Sequence, residues 1–380
     1  MRIRCSNELQ VKNISGHFYH HPKQKNDLDF VANRIHVPAW DSSKSFSFQL
    51  SFKNNSDYSL AFFSNKGATL PTIQVAFAYS TPDLGDGPPR RWLRIHTVQC
   101  LFARTPADLY VNADPEIICM GLVHRTAQIC LEDSLREARL RLKDWLVQLM
   151  LQVHCTQSEK DGTHPGTKST TPATKAGLPF SMFPNLQILQ QLVYGLLTGP
   201  VLGNATTTPD IRSSTLFAYT ALHPWHLRRR LYPVFVGYGM VSPPPPGGLG
   251  YVPGLARPLS ISAITGAQQK QPFSIDAGLH VLIYIRSEGA ILDTQDAAMA
   301  ANIREFILKD VKKKGQEAHS TVTSTSNIED LTPFLINDSY PRSSHFFTKQ
   351  SLDADKLPIE GEQPFSDFSS WLSTLAHGLV

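Results

Sequence analysis

The hydrophobic period of this chain changes partway along its length, from two to about 3.6, and that change limits the folds open to it. From Ser45 to Lys53 the alternation is strict: Phe46, Phe48, Leu50 and Phe52 fall on one side, and Ser45, Ser47, Gln49, Ser51 and Lys53 on the other. This predicts a strand with one buried face. After Cys100 the pattern becomes helical, and Leu135, Ala138, Leu142, Trp145, Leu146, Leu149 and Val153 form a single apolar stripe. One repeating layer cannot satisfy both periods. At 380 residues the chain also exceeds one typical hydrophobic core, so two or three domains are expected.

The first part is β-rich. Ile73, Val75, Phe77 and Tyr79 repeat the alternation, a turn-rich segment from Thr81 to Pro89 follows, and Trp92, Arg94 and His96 then alternate with Leu93, Ile95 and Thr97. The pattern predicts a hairpin. Together with Arg2 to Cys5, Leu9 to Val11 and a segment led by Gly16, it predicts several short antiparallel strands and a β-sandwich.

Asp108 to Cys130 is helix-rich. Ser134-Leu135-Arg136-Glu137 reads as a capping box, in which the serine oxygen accepts from the N3 amide while the glutamate reaches back. The stripe that follows is expected in a core. Residues 156–176 are rich in Thr, Ser, Pro, Lys and Gly and are expected to be a disordered surface loop. Helices resume at Asn185 to Leu197 and Thr215 to Leu222.

A third part starts near Tyr232. A Pro/Gly-rich insertion over 242–258 opens with four consecutive prolines between Ser242 and Gly250. Val281 to Ile285 is a continuous apolar run, as in a central strand covered on both faces. Ala297 to Val311 predicts an amphipathic helix ending near Lys312 to Lys314, and Ser320 to Asn327 reads as a polar break. Phe365 to Leu379 predicts a terminal helix with Phe368, Leu372 and Leu375 on one face.

Composition excludes several classes of function. A net charge of +4, with no basic run interleaved with aromatics, argues against nucleic acid as a partner. The charge is concentrated early, with twelve Lys/Arg against seven acids in the first 97 residues. The five cysteines include no C-x-x-C pair, so neither a zinc site nor a disulfide framework is expected. Cys119 and Cys130 lie in apolar helical surroundings and read as small buried hydrophobes. No signal peptide or membrane span is read, which fits a cytoplasmic, soluble or peripheral protein.

Phosphate-loop, dinucleotide-binding, nucleophile-elbow and H-E-x-x-H signatures are all missing, so no catalytic residue and no cofactor are assigned. The clusters His17, His20, His21 and His223, His226 have too little spacing information to specify a metal. The tetraproline could serve a proline-reading domain, although a solvated loop is the plainer reading.

Arg2-Ile3-Arg4 is more informative. In a strand, side chains at i and i+2 share a face about 6 to 7 Å apart, so two guanidinium forks would point together. Arginine suits paired hydrogen bonds to a carboxylate or phosphate better than lysine does. An acidic peptide or an anionic lipid fits this pair; a solvated strand face is the alternative.

Met1-Arg2-Ile3-Arg4-Cys5-Ser6, Gly16-His17-Phe18-Tyr19, Gln74 to Ser80, Arg94-Ile95-His96-Thr97, Ala113-Asp114, Ser134 to Arg139, Leu231-Tyr232-Pro233 and Asp276 to Leu279 occur in an order that resembles the C-terminal half of the cargo-selecting subunit of the inner COPII vesicle coat. The resemblance runs almost from end to end. It implies a multidomain α+β chain: a β-sandwich over 1–97, an all-helical domain over 98–226 and a gelsolin-like α/β domain over 227–380.

It also implies a non-enzymatic protein, peripheral on exit sites of the endoplasmic reticulum and on COPII vesicles. Implied partners are the sister inner-coat subunit, the coat's small GTPase, the cytosolic tails of cargo and SNARE proteins, and an anionic membrane surface. One pocket of the family takes acidic signals of the D-x-E kind, and Arg2 and Arg4 match its paired arginines. Phe77 lies on the strand lining that pocket in relatives, and could equally be core.

Some features depart from the family. Its zinc finger and trunk domain precede the segment corresponding to Met1, so they are expected to lie outside this sequence, and the sandwich is expected to be incomplete with an exposed edge. The loops at 156–176 and 242–258 read as insertions, and Trp92 stands where relatives usually carry a basic residue. Two alternatives remain. One is the sister coat subunit, which stimulates GTP hydrolysis, although its characteristic helix start is replaced here by Asn112-Ala113-Asp114-Pro115-Glu116. The other is a stand-alone gelsolin-like protein that binds actin or lipid.

Overall fold

The computed structural model describes residues 1–7, 9–20, 33–40, 44–53, 70–81, 87–101, 103, 105–160, 180, 183–203, 207–240, 251–253, 257–258, 272–278, 280–285, 294–313, 321–325, 368 and 372. The chain divides into two compact units, Met1–Leu109 and Tyr110–Val380.

In the first unit β1 (Arg2–Cys5), β6 (Thr72–Thr81) and β7 (Arg90–Gln99) form an antiparallel sheet in the order β1-β6-β7. β2 (Leu9–Ser15) pairs with β5 (Ser47–Phe52) through a register shift between Val11 and Asn13, and β3 (Tyr19–His20) pairs with β4 (Ile35–His36). One apolar core lies between these layers: Ile3, Leu9, Ile14, Ile35 and Ile73 are buried, with Phe46, Phe48 and Leu50 packed against them. The alternation read in β5 therefore faces this core, except that Phe52, at the strand end, is exposed.

The second unit begins with helices. α1 (Pro106–Asn112), in which the division between the units falls, is followed by α2 (Pro115–Glu132), α3 (Leu135–Lys160), α4 (Pro184–Thr198), α5 (Pro209–Ala221) and α6 (Pro224–Leu231). α2 packs against α3, α4, α5 and α6 and is the centre of the bundle. It starts cleanly because Asp114 accepts from the amides of Glu116 (2.8 Å) and Ile117 (3.3 Å), with proline at its first position. Cys119 is fully buried there, and burial, then Glu116, push its thiol up to about 12, which leaves it an inert hydrophobe.

The stripe on α3 is core as expected, with Ala138, Leu142, Leu146 and Val153 buried and Val147 and Met150 joining them. Only half of the capping box forms. Ser134 Oγ accepts from the Glu137 amide at 3.1 Å, but the Glu137 carboxylate turns to Arg141 at 2.6 Å instead of reaching back. α3 also runs to Lys160, so the segment expected to be a loop from 156 is helical in its first residues; 161–176 lie outside the described residues. Arg139 donates to the carbonyls of Leu202 (2.6 Å from Nε) and Gly203 (3.3 Å), and with Arg212, which donates to Val201, it holds the turn after α4.

The sheet of this unit comprises β8 (Val234–Met240), β9 (Tyr251–Pro253), β10 (Arg257–Pro258), β11 (Phe273–Asp276), β12 (His280–Tyr284) and β13 (Thr321–Thr325), in the order β10-β8-β11-β12-β13 with β9 also on β8. β12 is interior, as its apolar run predicts. α7 (Thr294–Lys313) connects it to β13, which runs parallel to it. Val281, Ile283, Ile285, Ala300, Ile303 and Val322 form the core between α7 and the sheet.

Two expectations are corrected here. Ser320 to Asn327, read as a polar break, contains β13, because four of its five residues are β-branched threonine or valine with Val322 buried. The end of the 242–258 insertion adds β9 and β10, where proline is tolerated at short peripheral strands; its tetraproline lies outside the described residues.

The helices and this sheet share one unit. Arg229 pairs with Asp276 at 3.6 Å, and Gly278 (φ +82°) sits so close to the His226 carbonyl that a Cβ would stand 2.5 Å from its oxygen. Phe368 and Leu372 of the expected terminal helix are helical and buried, Phe368 against Tyr194 at 5.4 Å, while Leu375 is outside the described residues.

Candidate functional site

β1 is extended over Arg2–Cys5, and its register fixes where each arginine points. Arg2 stands opposite Ala76, Ile3 opposite Val75 and Arg4 opposite Gln74. Ile3 is buried at 1 % exposure, while Arg4 is exposed and Arg2 half-buried. Arg2 and Arg4 therefore share the outer face, away from the core that takes Ile3.

The outer side of β1 meets a short extended segment. Ile3 donates its amide to the Asn33 carbonyl and Ile35 donates to the Met1 carbonyl, both at 2.9 Å. The Met1 amino group donates to the Ile35 carbonyl at 2.8 Å, and burial first, then the charge of Arg34, hold its pKa below the ordinary value. This pairing puts Arg34 directly opposite Arg2. Arg34 is exposed and Ile35 fully buried, so Arg34 lies on the same face as Arg2 and Arg4.

Residues opposite one another in a sheet share a face, and two rows follow. Arg34, Arg2, Ala76 and Ile95 form one; Arg4, Gln74 and Thr97 form the next. The second is tied together by hydrogen bonds, Arg4 Nη1 to Gln74 Oε1 and Gln74 Nε2 to Thr97 Oγ1, both at 3.4 Å. The result is a flat face with three guanidinium groups at one edge and small or apolar side chains beside them. Chemically it suits carboxylates carried on an extended peptide.

The sequence reading missed Arg34. The polar-apolar-polar run Arg34-Ile35-His36 hints at a strand, but nothing in it says which strand is its neighbour. Phe77 is on the other face. It shares the inward side with Ile3, Val75 and Tyr79, stacks on Tyr79 (5.2 Å), meets Trp40 at a tilt (4.8 Å), and is not brought together with Arg2 and Arg4. These rings, with Arg94, His36 and His96, line a cleft of about 1430 Å³. Arg94 Nε donates to the Tyr79 hydroxyl at 3.1 Å.

The histidines have structural places. His223 caps α6 by accepting the Trp225 amide at 3.3 Å, and His226 is buried beneath it. Among the described residues no group of three or more His, Cys, Asp or Glu is arranged to hold a metal, and no helix is long and apolar enough to cross a membrane.

No family model matches the chain. Over 254 residues it is 29 % identical to the protein transport protein SEC23 D of Arabidopsis thaliana, a match covering 63 % of this chain and 32 % of that one. The chain thus spans about a third of that relative's length. Among solved structures, the human COPII-coat protein Sec24c matches with a TM-score of 0.63 at 14 % identity, over 100 % of this chain and 45 % of that chain. At that identity the likeness is one of fold. The chain is thus similar in sequence to a protein transport protein and in fold to a COPII-coat protein.

Proposed function

We propose that this chain is a non-enzymatic part of a COPII coat subunit that captures sorting signals on cargo and SNARE tails for transport from the endoplasmic reticulum to the Golgi. Acidic signals of the D-x-E kind would be received by Arg2, Arg4 and Arg34. The observation that carries this reading is the placement of Arg34 opposite Arg2, with Arg4 two residues along the same face. Like charges held directly opposite disfavour one another and favour an anion between them.

Phe77, facing away, has no part in this reading. In the same reading the chain works with a sister coat subunit, the coat's small GTPase and the anionic surface of exit sites. The sheet after Tyr232 would be the gelsolin-like part, and the family zinc finger would lie outside these residues.

A second reading, the sister subunit that stimulates GTP hydrolysis, is favoured by the sequence match to SEC23 D. Titration of a D-x-E peptide into the wild type, Arg2→Ala/Arg4→Ala and Arg34→Ala separates the two. Because Arg4 is exposed and Arg2 half-buried, the double substitution is expected to weaken binding by about 1 to 2 kcal/mol, between rim and desolvated values. Equal affinities would remove the arginines from the account. Faster GTP hydrolysis by the coat GTPase on adding this chain would favour the second reading.

A further inference from the structure

Arg2 and Arg34 stand opposite one another in the closer of the two antiparallel arrangements. Their neighbours carry the backbone bonds, Ile3 amide to Asn33 carbonyl and Ile35 amide to Met1 carbonyl, both at 2.9 Å. The two arginines therefore form a pair without mutual backbone bonds, the kind whose Cα atoms lie about 4.5 Å apart and whose side chains come nearest. Like charges so placed repel. Arg4, two residues along β1, projects from the same face about 6 to 7 Å away. It is the single cation of its row, beside Gln74 and Thr97.

The two ends of the face are thus unequal in charge and in bulk. At the Arg2 end two guanidinium forks adjoin Ala76, whose side chain is one methyl group. At the other end Arg4 already donates to Gln74 Oε1 at 3.4 Å, and the glutamine side chain occupies the adjoining position. None of the strands β1, β6 and β7 carries an aspartate or glutamate. A carboxylate brings one negative charge and two acceptor oxygens, which suits Arg4. It neutralises only half of the Arg2 and Arg34 pair. A phosphate monoester brings a charge of about −1.5 to −2 at neutral pH and three strong acceptor oxygens, which matches two forks.

We propose that this face receives a phosphorylated acidic signal: an extended peptide with a phosphoserine or phosphothreonine at the Arg2 and Arg34 end and a carboxylate two residues along, at Arg4. Side chains at i and i+2 of an extended peptide project to one side with the spacing that separates Arg2 from Arg4. On the reading of the face as a receptor of acidic signals, on which this ranking rests, a tail is selected by its phosphorylation state as well as by its sequence.

The probes are three blocked peptides, Ala-phosphoserine-Ala-Glu-Ala, Ala-Asp-Ala-Glu-Ala and Ala-Ser-Ala-Glu-Ala, titrated into the 380-residue chain by calorimetry at a pH above the second phosphate pKa of about 6. The phosphoserine peptide should bind roughly ten-fold more tightly than the aspartate peptide, and the serine peptide most weakly. Arg34→Ala, at an exposed position, should weaken the phosphoserine peptide roughly ten-fold and the aspartate peptide only about two-fold. Arg34→Lys keeps the charge without the fork and should fall between Arg34→Ala and the wild type. Arg4→Ala should weaken both anionic peptides alike.

An aspartate peptide that binds as tightly as the phosphoserine peptide overturns the ranking and leaves the acidic-signal reading standing. A phosphoserine preference that survives Arg34→Ala also overturns it, because the phosphate then sits elsewhere. Failure of all three peptides to bind removes the ranking and the reading together. Vesicles containing a phosphoinositide are the other source of a phosphate monoester. If they bind in an Arg34-dependent way and the phosphopeptide does not, the ligand is a lipid headgroup and the peptide assignment falls.

Discussion

Arg4 and Thr97 stand on different strands with β6 between them, and Gln74 joins them, accepting from Arg4 Nη1 and donating to Thr97 Oγ1, each at 3.4 Å. The glutamine orients Arg4 over the outer face. Replacing it with alanine should weaken an acidic peptide by about 0.5 to 1 kcal/mol, since these are long, exposed hydrogen bonds. Gln74→Glu should weaken it further by supplying an internal carboxylate to Arg4. Calorimetry on both variants checks this, and equal affinities for wild type and Gln74→Glu would show that Arg4 is not a contact.

His124 makes the stability of the helical unit depend on pH. Its Nε2 lies 2.9 Å from the Thr220 carbonyl. Burial lowers its pKa, and the bond to Thr220 only partly opposes that. Above about 6.5 the ring is neutral in both folded and unfolded chains. Below it the unfolded chain takes up a proton that the folded one resists, so stability falls as pH drops from there toward the lowered folded value. His280, lowered by burial and then Arg230, acts in the same direction. Urea unfolding at pH 8 and pH 5.5 should therefore show a smaller loss in His124→Gln, which keeps a donor for Thr220, than in the wild type.

Gly195 lies inside α4 where that helix crosses the end of α6, and a Cβ there would run into the Leu231 carbonyl. Alanine gains about 1 kcal/mol of helix propensity. A backbone obstacle cannot rotate away, however, and overpacking of about 1 to 3 kcal/mol is expected to win. Gly195→Ala should lower the denaturation midpoint without changing its slope. An unchanged or higher midpoint would mean the two helices separate freely.

The start of α3 depends on Ser134 more than on Glu137. Ser134→Ala removes the bond to the Glu137 amide and should cost about 1 kcal/mol. Glu137→Gln breaks only the exposed pair with Arg141 and should cost a few tenths, about 0.3 kcal/mol. Thermal unfolding of the two variants ranks them; equal losses would show that the glutamate does cap the helix in solution.

Strands with one dry face were easy to read in the sequence, because alternation is itself the record of burial. β5 and β6 are legible in this way; β7 alternates too although all ten of its residues are exposed, and the interior position of β12 is read from a continuous apolar run. Pairing was not legible. Which side of β6 faces the core follows from register, and a slip of one residue exchanges every side chain between faces. So Phe77 could be put on the right strand yet not on the face away from Arg2 and Arg4, and Arg34 could not be connected to Arg2 at all. β13 was hidden for another reason: threonine is polar to a hydropathy reading, but its branched side chain favours a strand. The helical stripe on α3 was clear, whereas the end of that helix, which carries little hydrophobic signal, was not.

Phe368 against Tyr194, with Leu372 fully buried beside it in sequence, has a consequence for biosynthesis. Chains emerge from the ribosome amino end first, and domains generally fold as units in that order. The amino-terminal unit, Met1–Leu109, is compact by itself and can close while translation continues. The helices cannot cover Tyr194 until the codon for Phe368 is read. A stop before that codon would leave the Tyr194 ring without its cover, and quality control would meet the defect in the helices, far from the lesion in the message.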